Sequence, residues 1–138
     1  MISSTMPMGR YWVGDLCYVL RSNWEDVCSK MFGEGDGDGV FTLENGTKIT
    51  IFSTKYGDGT YEDQFNNQYP VDSGTIGCVL LADIKDEDAN LALGNIFDFE
   101  SVFSVSSEDG LLMFDYIIIK TGEEDPEEED DYLEEDEN

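Results

Sequence analysis

"VFTLENGTKITIF", residues 40–52, carries the strongest local fold signal in the chain. Asn45 and Gly46 separate two alternating runs rich in β-branched and aromatic residues, which predicts a β-hairpin closed by a tight turn. Upstream, "GEGDGDG" (33–39) has glycine at every second position, too much backbone entropy for a regular element, so it reads as a loop. Before it, Trp24, Val27, Cys28 and Met31 recur at threes and fours, and Ser22 with Glu25 has the spacing of a capping box. One amphipathic helix over 22–32 is expected. "YWVGDLCYVL" (11–20) reads as a strand, or two short ones broken at Gly14.

Downstream of the hairpin, Gly57-Asp58-Gly59 and Asn66-Asn67 predict two tight turns with a short strand near Tyr61. "TIGCVLLADI" (75–84) is almost continuously apolar, as expected of a strand covered on both faces. "DEDANLALG" suggests a helical turn, "IFDFESVFSV" (96–105) alternates, "SSEDG" turns, and "LLMFDYIIIK" (111–120) reads as one long final strand. The sum is an α+β domain over 1–122: an antiparallel or mixed sheet of about six or seven strands, one main helix, and an acidic C-terminal tail over 123–138.

A chain of 138 residues has room for one domain that buries roughly two-thirds of its unfolded surface. There are 32 acids against 7 basic residues. Twelve of the acids lie in the tail, which leaves the body at −13. A surface so charged repels itself, and it disfavours nucleic acid and anionic membranes as direct partners. The N-terminus "MISSTMPMGR" has neither a charged leader nor an apolar core, so a cytoplasmic protein is expected, in the host cytoplasm if phage-encoded. Cys17, Cys28 and Cys78 show no CxxC spacing and the chain has no histidine. They are expected to be reduced thiols packed as small core side chains.

Three constellations bear on chemistry. Glu34, Asp36, Asp38 and Gly39 fall at positions 1, 3, 5 and 6 of an EF-hand-like loop, but position 12 is Asn45 and a hairpin follows, so the bidentate ligand is missing. A looser cation site on Asp36 and Asp38 or a solvated loop remain as readings. Asp15, Asp58 and Asp72 each stand beside glycine or serine at a strand end. If folding brings them together they form a site for Ca2+ or Mg2+, or a pair of carboxylates able to exchange a proton; otherwise they are ordinary turn residues. Nucleophilic catalysis has no histidine base and no GxSxG elbow to rest on. No enzyme is expected on this count, and no cofactor beyond that cation.

Charge is the most informative property. An extended chain advances about 3.3 Å per residue and a DNA strand carries a phosphate about every 3.4 Å, so a run such as "EEEDD" matches the linear charge of one strand. Glu127, Glu128, Glu129, Asp130, Asp131, Glu134, Glu135 and Asp136 are therefore candidate partner-binding residues, with Tyr132 and Leu133 as an apolar anchor within them. The expected partner is a basic nucleic-acid-binding protein, a defence nuclease among the candidates, whose groove the acids occupy as a DNA mimic. Two other readings stay open: a carboxylate-based cation site or enzyme, and a chaperone-like acidic buffer for basic proteins.

The segments "YWVGDLCYV", "W..VC", "FST.YGDGTY.D" and "Y.VDSGTIGCV", spread over 11–84, resemble small uncharacterised acidic proteins of bacteria and their phages. That group has no established activity to carry over. In charge character alone the chain is similar to phage-encoded DNA mimics that block restriction or CRISPR enzymes, which implies an anti-defence inhibitor.

Overall fold

The computed structural model describes residues 2–33 and 37–121. The hairpin forms as expected: β3 (Gly39–Thr42) pairs with β4 (Lys48–Ser53), Thr42 opposite Lys48. Gly46 takes φ 92°, a left-handed conformation that glycine adopts without a Cβ penalty, while Asn45 Oδ1 accepts from Thr47 N–H at 2.9 Å.

β4 then becomes the second strand of a five-stranded antiparallel sheet, ordered β3-β4-β7-β2-β8, where β2 is Gly9–Gly14, β7 Thr75–Leu80 and β8 Gly94–Phe99. β7 sits in the middle of that sheet and is buried on both faces, which explains its uninterrupted apolar run. Alternation sends β-strand side chains to two separate cores. Tyr11, Val13, Phe52, Ile76 and Cys78 point to one side; Trp12, Ile49, Ile51 and Val79 to the other.

The first side is covered by a four-stranded antiparallel sheet, β1-β9-β10-β11: β1 (Ile2–Met6), β9 (Phe103–Glu108), β10 (Leu111–Phe114) and β11 (Ile117–Lys120). Val105, Leu112, Phe114, Ile117 and Ile119 fill the space between the sheets. A two-stranded ribbon, β5 (Gly59–Glu62) with β6 (Gln68–Val71), closes one edge through Tyr69 and Val71. The second side is covered by a 3-10 turn (Leu16–Tyr18) and a short helix, α1 (Trp24–Cys28), through Leu16, Val19, Val27 and Met31.

The architecture is thus α+β-like and mostly β, with eleven strands in three sheets among the described residues instead of six or seven in one sheet. Four local misreadings account for the difference, the first being that "QYPV" (68–71), beyond the Asn66-Asn67 turn, pairs with β5 as β6. "LLMFDYIIIK" is two strands, because Asp115 at φ 58° turns the chain between β10 and β11. "IFDFESVFSV" belongs to both main sheets, with β8 in one and β9 in the other. "ISSTM", with only Met6 buried, pairs along β9 as an edge strand that no apolar alternation announces.

The helix expected over 22–32 forms in two parts: α1 starts at Trp24 and gives way at Ser29 to a π-helix over Ser29–Gly33. Ser22 does not cap it. Asn23 occupies the N-cap without a side-chain bond, and the Ser22 hydroxyl donates instead to Asp86 at 2.5 Å. All three cysteines are free thiols, Cys78 buried and the other two half-buried. Burial pushes the Cys78 thiol up to about 12 and, helped by hydrogen bonding to Asp15, the Cys17 thiol to about 12, so neither is a thiolate at neutral pH. Among the described residues no helix is long and apolar enough to cross a membrane.

Candidate functional site

Charge separates cleanly from the core. Eighteen acids fall among the described residues, and of these only Asp15 and Asp63 are buried. Three of the seven basic side chains are held in exposed ion pairs: Arg10 with Asp98 (2.7 Å), Arg21 with Asp88 (2.8 Å), and Lys55 with Asp109. The remaining acids outnumber the remaining bases on the surface.

The acids with the most organised setting line a cleft of about 610 Å³ between the start of α1 and the turn of the β3–β4 hairpin. Glu25, Asp26 and Glu44 line it together with Ser22, Asn23 and Ser29. Its width is fixed from within: Asp26 Oδ2 accepts the Glu44 N–H at 2.7 Å, tying helix to hairpin across 18 residues of chain. On the far side of Ser22 the loop 84–88 adds Asp86 and, next to it in the chain, Glu87, with Lys85 preceding them and Asp88 already paired with Arg21. That loop is pinned by Ser22 N–H and Oγ, both donating to Asp86 (3.0 and 2.5 Å), and by Asn90 N–H to Tyr18 O (2.9 Å). The Ser22 hydrogen bonds hold the Asp86 carboxyl below the usual carboxylate range, so it stays charged at neutral pH.

Among the described residues no three His, Cys, Asp or Glu side chains converge closely enough to hold a metal ion. The carboxylates of the cleft are therefore spaced as separate charges. Such an array lowers its own repulsion when a cationic surface is laid against it.

The three aspartates singled out from the sequence have different fates. Asp15 is buried behind β2, and its carboxylate accepts four hydrogen bonds: from Asp72 N–H (2.7 Å), Ser73 N–H (2.7 Å), Ser73 Oγ (2.8 Å) and Cys17 N–H (3.0 Å). It is the latch that holds the β6–β7 turn against the end of β2. Asp72 supplies its backbone to that latch and keeps its own side chain exposed. Asp58 lies exposed in a neighbouring turn, anchored by Thr54, which donates from Oγ1 to Gly57 O (2.7 Å) and from N–H to Gly74 O (2.9 Å). The fold thus draws three turns to one end of the molecule without forming a carboxylate cage. Of the EF-hand-like positions, Glu34 and Asp36 lie outside the described residues, and Asp38 accepts from Ser53 Oγ at 2.8 Å. The tail residues 127–136 also lie outside the described residues.

Sequence reading named Glu25 only as a capping-box residue and passed over Asp26 and Glu44. Glu25 and Asp26 look like ordinary first-turn acids that complement a helix N-terminus, and Glu44 like a turn residue; only the fold sets them face to face.

No family model matches the chain, and no curated protein or solved structure matches it either. Function has to be read from the residues themselves.

Proposed function

We propose that this chain is a non-enzymatic interaction protein that places its acidic faces in the nucleic-acid-binding groove of a basic protein, acting as an inhibitor by DNA mimicry. The observation that carries this reading is the cleft lined by Glu25, Asp26 and Glu44, with Asp86 on the far side of Ser22: the Asp26 and Asp86 carboxylates are held by internal hydrogen bonds, and Glu25 and Glu44 stand beside them. Preorganised charge costs less to dock than charge on loose side chains, because the ordering entropy is already spent in folding. A groove built to exchange counterions for phosphates makes the same exchange for carboxylates. A defence nuclease is one partner that fits.

The test is a pull-down from cell lysate at about 50 mM and about 500 mM salt, with duplex DNA as competitor. The expected partner is a nucleic-acid-binding protein that elutes with salt and is displaced by DNA. Recovery of no such protein, or of one that DNA leaves in place, overturns the reading. Replacing Glu25, Glu44 and Glu87 by glutamine should weaken binding and reduce the slope of log affinity against log salt by about one per carboxylate that contacts the partner. Deleting residues 123–138 separates the two carriers of charge: if the body docks, most affinity survives, and if the tail docks, nearly all is lost.

A further inference from the structure

Aromatic side chains in tight turns are expensive to leave in water, and besides Tyr56 the described residues leave Phe65 and Tyr116 there. Phe65, in the turn between β5 and β6, is 57% exposed, and Tyr116, in the turn between β10 and β11, is 48% exposed. The two turns are fastened to each other. Gln64 donates from Nε2 to the Tyr116 carbonyl and accepts at Oε1 from Ile118 N–H (2.9 Å), and Asp63 bridges to Ile119. The rings meet edge to face with centroids 6.2 Å apart.

Tyr116 in turn contacts Phe97 (6.4 Å) and Phe99 (6.2 Å), and Phe99 stacks on Phe103 at 3.9 Å with the planes 15° apart. Tyr11 closes the row inside the core, 5.1 Å from Phe103. A continuous aromatic row therefore runs from the core out to two exposed rings, which gives those rings a rigid footing.

The surroundings decide what the rings fit. Asp115 precedes Tyr116 in the chain and is exposed, Glu62 lies in β5 beside the Phe65 turn and shares a cleft with Lys120, Asp98 is engaged by Arg10 on the other face of β8, and the whole chain carries −25. A second copy would bring the same negative field against itself. An aromatic face has a negative quadrupole, and carboxylates around it favour a cation; the flat, weakly hydrated guanidinium matches both better than the ammonium of lysine.

We infer that the Phe65–Tyr116 patch is a docking surface for an arginine-bearing segment of a protein partner, with the guanidinium laid on the exposed rings. This rests on the reading of the chain as a ligand for cationic proteins, and it adds where an arginine would be chosen over a lysine.

The test is fluorescence anisotropy with two labelled peptides of equal length, one alternating arginine with glycine and the other lysine with glycine, on the full chain at low salt. The parent chain should bind the arginine peptide about fivefold or more tightly than the lysine peptide. Phe65→Ala with Tyr116→Ala should bind both peptides alike, with the lysine affinity unchanged, while Tyr116→Phe should keep the preference because it keeps the ring. Circular dichroism melts of the variants confirm that they fold, as expected for half-exposed positions. Equal binding of the two peptides by the parent overturns this proposal alone, as does a preference that survives loss of both rings. A parent chain that sediments as a dimer while the double variant is monomeric also overturns it. Failure of both peptides to bind overturns the broader reading together with this one.

Discussion

Asp15 shows how an acid can be abundant in composition and still be structural. Three of its four donors are backbone N–H groups, of Cys17, Asp72 and Ser73, so the site needs an acceptor at both oxygens. Asp15→Asn would turn an amide N–H2 towards those donors, and the expected loss is about 2–3 kcal/mol in chemical denaturation. Ser73→Ala removes one donor and should cost about 1 kcal/mol. Neither loss should be reversed by Ca2+ or Mg2+; recovery with either ion would revive a cation role for the aspartates. Asp63 is the second buried acid: burial works against its charge, but hydrogen bonds from Tyr69, from the Asn67 side chain, and from the N–H groups of Phe65 and Asn67 outweigh it and set its pKa below the ordinary value. In the sequence both residues look like turn formers, since nothing local says that a turn aspartate will be covered by another element.

At the scale of elements, the central strand β7 carries the tightest constraint. A Cβ at Gly77 would collide with the carbonyl oxygen of Thr50 on β4. Gly77→Ala must push two core strands apart and should destabilise by about 3 kcal/mol or more, read as a loss of folded protein or a large fall in melting temperature. Gly14 and Gly94 play a related part, because the Trp12 ring lies across both and donates from Nε1 to Leu91 O at 3.0 Å. The hairpin and the buried strand were legible in the sequence because their signals are local: a turn dipeptide between alternating runs, and an apolar run without breaks. The division of residues 111–120 into two strands was not legible, since a turn on Asp115-Tyr116 lacks glycine or proline and its left-handed Asp115 is stabilised by pairing with β9, Asp115 N–H reaching Ser104 O at 2.8 Å. The helix starts at Trp24 and not at Ser22 for a comparable reason, as the Ser22 hydroxyl donates to Asp86, 64 residues away, and does not cap the first turn.

For the whole molecule, charge sets the response to solution conditions. Raising salt from about 10 mM to about 300 mM at pH 7 should raise the melting temperature by at least about 4 °C, because screening relieves repulsion among exposed acids. Lowering the pH from 7 towards the isoelectric point near 4.1 removes charge and should stabilise in the same direction. Below about 3.9 the sign reverses. Asp63 and Asp86 have folded pKa values below the ordinary one, so their contribution is present at higher pH and is lost as pH falls through the folded values. A melting temperature that is highest between the two limits, and an acid limb that is shallower in Asp63→Asn, are the expected results of differential scanning calorimetry across pH.

Composition and local pattern alone determined the charge, the hairpin, the doubly covered strand and the mixed helix-and-strand class, because each depends on neighbours in the chain. Tertiary structure decided the number of sheets, the retirement of Asp15 to a structural latch, the acidic cleft between α1 and the hairpin turn, and the row of aromatic rings that surfaces at Phe65 and Tyr116. Those depend on which distant backbone donors, carboxylates and rings come to lie within a few ångströms, and side-chain spacing along a chain carries no information about that.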